Sequence, residues 1–165
     1  MTLPRTLPMN DAALQEARRW LGTPYRHQAS CRGAGTDCLG LVRGIYRALY
    51  GQEPETVPPY TSEWAEVSGE ETLHDAALRH LEPAPLDDLR AGDVLLFRMM
   101  PHSPIKHAGI LTGTATATGG DTGCGSGSDT MIHAYSGRAV CETHLGRWWH
   151  TRLAAACRWP ARIPT

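Results

Sequence analysis

A chain of 165 residues with 16 Lys and Arg against 17 Asp and Glu has a formal charge of −1, which leaves no cationic excess for a nucleic acid or an anionic membrane surface. Its length suits a single domain over residues 1–165 whose core needs no covalent staples. The five cysteines are an odd number without a CxxC pair, which excludes a complete disulfide framework and zinc-finger spacing and makes a reduced protein the simpler expectation.

Met1 to Asn10 contains prolines and an arginine but no apolar run of signal-peptide length, and no stretch is long and apolar enough to cross a bilayer. The expectation is a protein made in the cytoplasm without a signal peptide, with no membrane partner. If it acts outside the cell, something must carry it there.

Asn10 or Asp11 can cap a first helix whose apolar positions Leu14, Ala17, Trp20 and Leu21 share one side, with Gly22 and Pro24 ending it. A loop over residues 22–37 carries Tyr25, His27 and Cys31. Gly35, Thr36 and Asp37 then bend and cap a second helix, which starts at Cys38 and stops at Tyr50-Gly51. Leu39, Val42, Ile45, Tyr46 and Leu49 recur at helical spacing and predict a buried stripe.

Cys38 therefore sits in the first turn of a helix, where unpaired N–H groups and the positive end of the dipole favour thiolate over thiol. The position alone leaves two readings open: a small core residue, as many free cysteines are, or a nucleophile. Asp37 reads as a helix cap rather than a catalytic acid. Cys31 reads as a spectator, close enough in sequence to Cys38 for an oxidised pair to be conceivable.

Residues 52–61 contain three prolines and no periodicity, which predicts a crossing over the surface. A weaker helix is expected over Glu70 to Leu81, stopped by Pro83 and Pro85. The second half reads as strands: Val94 to Phe97, a continuous apolar run covered on both faces; His107 to Thr112; Met131 to Tyr135; Ala139 to Thr143; and Ala154 to Trp159. Trp148 and Trp149 are expected to fill space between the last two. The tract Gly113 to Asp129 is low in complexity and reads as a mobile hairpin tip around Cys124. The fold class is α+β, with a helical first half packed on an antiparallel sheet of four to five strands.

The two-residue period of a strand decides whether His107 and His133 can meet. A hairpin centred near Asp121 sets His107 opposite Tyr135 and His133 opposite Gly109, which puts both histidines on one face, diagonally adjacent. One imidazole could then take the Cys38 proton while the other orients it. A zinc site of Cys38, His107 and His133 has suitable ligand types but scattered spacing. The other six of the eight histidines, His27, His74, His80, His102, His144 and His150, read as structural or solvent-facing.

Five stretches in order, Leu21-Gly22-Thr23-Pro24-Tyr25-Arg26, Asp37-Cys38-Leu39-Gly40-Leu41-Val42, Ala91-Gly92-Asp93-Val94-Leu95-Leu96-Phe97, Lys106-His107-Ala108-Gly109-Ile110 and Met131-Ile132-His133-Ala134, resemble the motif series of the NlpC-type cell-wall peptidases, which are papain-like cysteine enzymes. The resemblance runs from about Glu16 to Trp159. It is similar in particular to the branch found with phage tails and tail-like gene transfer agents, where Leu49-Tyr50-Gly51 and Pro58-Pro59-Tyr60 also match.

The resemblance implies a papain-like fold, Cys38 as nucleophile, His107 as general base and His133 as the orienting residue. It also implies Tyr25, beside the Cys38 N–H, as an oxyanion donor. No metal or organic cofactor is implied. The implied substrate is an amide of the peptidoglycan stem peptide, the D-glutamyl-diaminopimelate bond, and the implied partners are tail hub or baseplate proteins of a phage-like particle acting in the periplasm. Leu39 stands where many members have Ser, and His27-Gln28 where they have Gly-Gly, so fine specificity does not carry over. A structural tail component with little turnover, or an amidase or acyltransferase on another substrate, are the rival readings.

Overall fold

A computed structural model of the chain describes residues 8–61, 69–113 and 129–164. The first helix, α1, spans Met9–Arg19 with Pro8 at its N-cap, two or three residues before an Asn10 or Asp11 cap would set it. Asn10 has other work, because its amide donates to the Ala91 carbonyl at 3.1 Å and to Asp93 Oδ1 at 2.7 Å. Fully buried Asp93 also receives the Arg158 guanidinium, at 2.9 and 2.8 Å. A buried carboxylate needs such a cation and such donors, and here they lock α1 onto the last strand.

The second helix, α2, is Cys38–Tyr50, capped by the Asp37 side chain at one end and by left-handed Gly51 at the other. Its fully buried positions are Leu41, Ile45 and Tyr46, while Leu39, Val42 and Leu49 are only partly covered. The expected stripe is thus rotated toward Leu41, because α1 packs there through Ala13, Ala17 and Trp20. The contact is close enough that a Cβ on Gly44 would lie 2.1 Å from the Trp20 ring. The helix Thr72–His80 falls inside its expected range.

The remaining elements are β1 (Ser30–Cys31), β2 (Gly35–Thr36), β3 (Glu82–Ala84), β4 (Val94–Phe97), β5 (His107–Gly113), β6 (Thr130–His133), β7 (Cys141–His144), a short helix Arg147–His150, and β8 (Leu153–Arg158). β1 and β2 form a small ribbon that leads into α2, and the other six strands form one sheet in the order β3-β8-β4-β5-β6-β7, antiparallel throughout. The fold is α+β as expected, but the sheet has six strands rather than four to five. The addition is Glu82-Pro83-Ala84, whose proline argues against a strand in general yet is tolerated at a sheet edge, where it lies.

β4 is buried on both faces. Val94 and Leu96 face the helices, and Leu95 and Phe97 face a second cluster containing Leu111, Met131 and Trp149. β5 pairs with β6 through Ile110 with Ile132 and Leu111 with Met131, the register that sets Gly109 opposite His133. A bulge between Leu111 and Gly113 follows. Of the two adjacent tryptophans only Trp149 fills the core; Trp148 is 48% exposed, with the Arg152 guanidinium stacked over its ring. The expected hairpin tip and Cys124 lie outside the described residues.

Candidate active site

The loop before α2 is built to deliver Cys38. Tyr25 bridges Thr36, Arg26 N–H donates to the Thr36 carbonyl at 3.0 Å, and Thr36 N–H donates to the Pro24 carbonyl at 3.0 Å. Asp37 Oδ1 accepts from Gly40 N–H at 2.7 Å, which closes the first turn of the helix. Its Oδ2 accepts from Gln28 N–H at 2.8 Å and from the Tyr60 hydroxyl. A Cβ on Gly40 would meet the Ala29 carbonyl oxygen at 1.9 Å, so this loop can close on the helix only over glycine. Tyr60 comes from the proline-rich crossing, which therefore forms a wall of the site as well as a surface connection.

Cys38, Tyr25, His27, Tyr60, His107 and Tyr135 line one cleft of about 290 Å³. The Cys38 thiol lies 3.8 Å from the Lys106 carbonyl, which it can reach as a donor, beside the start of β5. His107 Nε2 is 2.9 Å from His133 Nδ1. Since Nε2 is taken, Nδ1 is the nitrogen of His107 left for the thiol. His133 Nε2 is in turn 2.8 Å from the Thr143 hydroxyl. The hairpin register thus brings the two histidines together as the strand period predicts, and the cleft brings His107 together with Cys38 and Tyr25.

An aromatic box surrounds the imidazoles. Trp149 stacks on His107 at 5.4 Å between centroids and meets His133 edge-on at 5.2 Å, while Phe97 and Tyr135 complete the enclosure around His107. Burial pushes His107 down to about 3, helped by the neighbouring His133, and pushes His133 down to about 4. Both rings rest neutral.

The sulfur is pushed the opposite way. Burial, and then the charge of Asp37, raise Cys38 to about 12, against the backbone N–H groups of Ala108, Leu39 and Cys38 itself, which lower it. Cys38 keeps part of its surface open to the cleft, but the sulfur is enclosed enough that the thiol is the resting form. The helix start favours the thiolate, as expected, but desolvation and a like charge one residue away outweigh it. Burial, with Cys38 and Asp37 nearby, raises Tyr25 as well, which keeps its hydroxyl protonated as a donor.

His27, expected to be structural or solvent-facing, is exposed at the rim of the cleft, its Nε2 2.7 Å from the Tyr60 carbonyl. Two supports of the imidazoles, Trp149 and Thr143, go beyond the sequence expectations. Thr143 was within reach of strand periodicity, since Cys141 pairs with His133 and a residue two places along shares its face. Among the described residues no group of three or more His, Cys, Asp or Glu is arranged to hold a metal ion.

The NlpC/P60 family model matches residues 22–158. The chain belongs to the NlpC/P60 family. Among curated proteins it is similar to the gamma-DL-glutamyl hydrolase of Bacillus subtilis (strain 168), 30% identical over 100 residues that make up 61% of this chain and 20% of that protein. The match thus spans only about a fifth of the length of that relative.

Among solved structures, the NlpC/p60 domain of peptidoglycan hydrolase SagA superposes with a TM-score of 0.58 at 19% identity, over 90% of this chain and 97% of that one. An NLP/P60 family protein similar to a lipoprotein, from Staphylococcus aureus subsp. aureus Mu50, gives 0.58 at 18% identity, over 96% and 44%. NlpC1 from Trichomonas vaginalis gives 0.57 at 16%, over 95% and 46%. At these identities the likeness is one of fold: the family's helices and antiparallel sheet.

Proposed function

We propose that this NlpC/P60 protein is a cysteine peptidase that hydrolyses an amide in the peptidoglycan stem peptide, the bond between D-glutamate and diaminopimelate. The observation that carries the reading is the line from Cys38 through the cleft to His107 and on, at 2.9 Å, to His133. Cys38 Sγ attacks the scissile carbonyl as His107 Nδ1 takes the thiol proton, so the thiolate need exist only in the act of attack. Tyr25 and the Cys38 N–H hold the tetrahedral oxygen. His107 returns the proton to the leaving amine; water, deprotonated by the same ring, then attacks the thioester, and the acid is released as that proton passes to the departing Cys38 Sγ. His133 orients His107 by accepting a hydrogen bond from its Nε2–H.

Delivery is the second part of the proposal: a phage-like tail carries the enzyme to the periplasm, docked to hub or baseplate proteins. Its support is the match of Leu49-Tyr50-Gly51 and Pro58-Pro59-Tyr60 to the tail-associated branch. Absence of the chain from purified tail particles, by mass spectrometry, would refute delivery while leaving the chemistry untouched.

The chemistry is tested by digesting purified stem peptides and sequencing the fragments by mass spectrometry. Wild-type protein is expected to free diaminopimelate-headed fragments, and Cys38→Ala to be slower by on the order of 10⁵-fold. Cleavage that survives Cys38→Ala, or falls at another bond, overturns the corresponding part.

A further inference from the structure

The hydrogen-bonded line that begins at His107 does not stop at His133. It continues to Thr143 Oγ1, 2.8 Å from His133 Nε2, and from there to Cys141 Sγ at 3.5 Å. A neutral imidazole has one N–H and one lone pair, so in a row of two rings the direction of any one bond sets the direction of all. Only two arrangements exist. In the outward one, His107 Nε2–H donates to His133 Nδ1 and His133 Nε2–H donates to Thr143, which leaves His107 Nδ1 bare to act as a base. In the inward one, Thr143 donates to His133, His133 Nδ1–H donates to His107, and the proton of His107 sits on Nδ1, where it blocks proton uptake from the thiol.

We propose that Thr143 is a positioning residue that selects the outward arrangement, its oxygen accepting the Nε2 proton of His133 and so keeping His107 Nδ1 free for Cys38. This rests on the reading of His107 as the base for Cys38. Two observations support the direction. Cys141 Sγ, 3.5 Å from Thr143 Oγ1, is near enough to take the threonine hydrogen while the oxygen accepts from His133. The outward arrangement also has both rings in the Nε2–H tautomer, the form a neutral histidine side chain intrinsically prefers.

The strand geometry holds the hydroxyl in place. Cys141 pairs with His133 and Thr143 with Met131, which puts Thr143 diagonally beside His133 on the same face. A valine there would fill nearly the same space but leave a buried Nε2–H without a partner. The ring's escape is to move its proton to Nδ1, which reverses the row.

The test is nitrogen-15 NMR of the histidine rings in the full chain, with the rate of Cys38 alkylation by iodoacetamide measured beside it. In wild-type protein His133 is expected to be protonated on Nε2 and bare on Nδ1. Thr143→Val is expected to shift His133 and His107 toward the opposite tautomer and to slow alkylation at neutral pH on the order of tenfold, as loss of an outer supporting bond does elsewhere. Thr143→Ser, which restores the hydroxyl, is expected to recover both.

A wild-type His133 protonated on Nδ1 overturns the proposal whatever the variants do, and so does Thr143→Val with unchanged tautomers and unchanged alkylation. Neither readout needs peptidase turnover. A protein that cuts no stem peptide but shows the outward tautomers refutes the proposed function and leaves this inference standing.

Discussion

The two walls of the cleft are made by opposite means. The wall that carries Cys38 is local and polar: residues 25–61 supply it, and Asp37 gathers Gln28 N–H, Gly40 N–H and the Tyr60 hydroxyl around one carboxylate. The wall that carries the histidines is assembled from distant strands and is dry, with Phe97, Tyr135 and Trp149 against the rings. One wall places a negative charge beside a thiol; the other removes water from two bases. Both oppose ionisation of their own group, so the resting site is a thiol facing a neutral imidazole. In the proposed mechanism, activation is the movement of a proton from one wall to the other, coupled to attack.

The dry wall makes the largest prediction, in stability. With native values near 3 and 4 against the usual 6.5 for histidine, the unfolded chain binds protons at pH 5 that the folded chain refuses. Stability therefore falls as pH drops below about 6.5, by about 2 kcal/mol for each ring at pH 5. Urea denaturation at pH 7.5 and pH 5 measures this. In His133→Asn the difference between the two pH values should shrink by roughly half, since one of two similar contributions is gone. Equal stability at both pH values in the wild-type protein would mean that the rings are wet and that the contrast between the walls is unfounded.

Tyr25→Phe tests the polar wall as a source of transition-state contacts. One oxyanion donor is worth about 3 kcal/mol in other hydrolases, so kcat should fall about 100-fold with KM little changed. Tyr25 is only partly buried, and the fold should tolerate the loss of one hydroxyl. A rate within a factor of about two of wild type would assign the oxyanion to backbone N–H groups alone.

The same contrast explains what could be read in advance. Asp37, Cys38 and Gly51 announce a helix through capping chemistry written within a few residues, and α2 begins and ends where they say. The face shared by His107 and His133 followed from strand period and hairpin symmetry, even with a long intervening tract, because the pairing of Ile110 with Ile132 keeps the register that a centre near residue 121 sets. Glu82–Ala84 was not legible as a strand, since its pairing with β8 is an edge contact that overrides what prolines usually mean. Trp149 was missed as a support for the same reason: it reaches the imidazoles by tertiary placement, and no local spacing connects residue 149 to residue 107, whereas Thr143 lay within strand periodicity, two places along from the partner of His133. The net shift at Cys38 was not legible, because a helix start is visible in sequence whereas the enclosure of the sulfur is not.

The smallest expected effect probes that sign directly. Asp37→Asn keeps a good helix cap but removes the negative charge next to the sulfur, one of the two causes that raise the thiol to about 12. Burial, the larger cause, remains. Alkylation of Cys38 at pH 8 should therefore quicken only a few-fold, on the order of threefold, with the thiol still above its ordinary value. The gain comes with a loss. Oδ2 accepts from Gln28 N–H in the wild-type protein, and an amide NH₂ in its place sets donor against donor, which should cost about 1–2 kcal/mol of stability. A variant that is less stable yet carries a more reactive thiol would show that Asp37 serves the architecture at the expense of the nucleophile's charge. If alkylation is unchanged while stability falls, the carboxylate acts only as a cap, and burial alone sets the thiol.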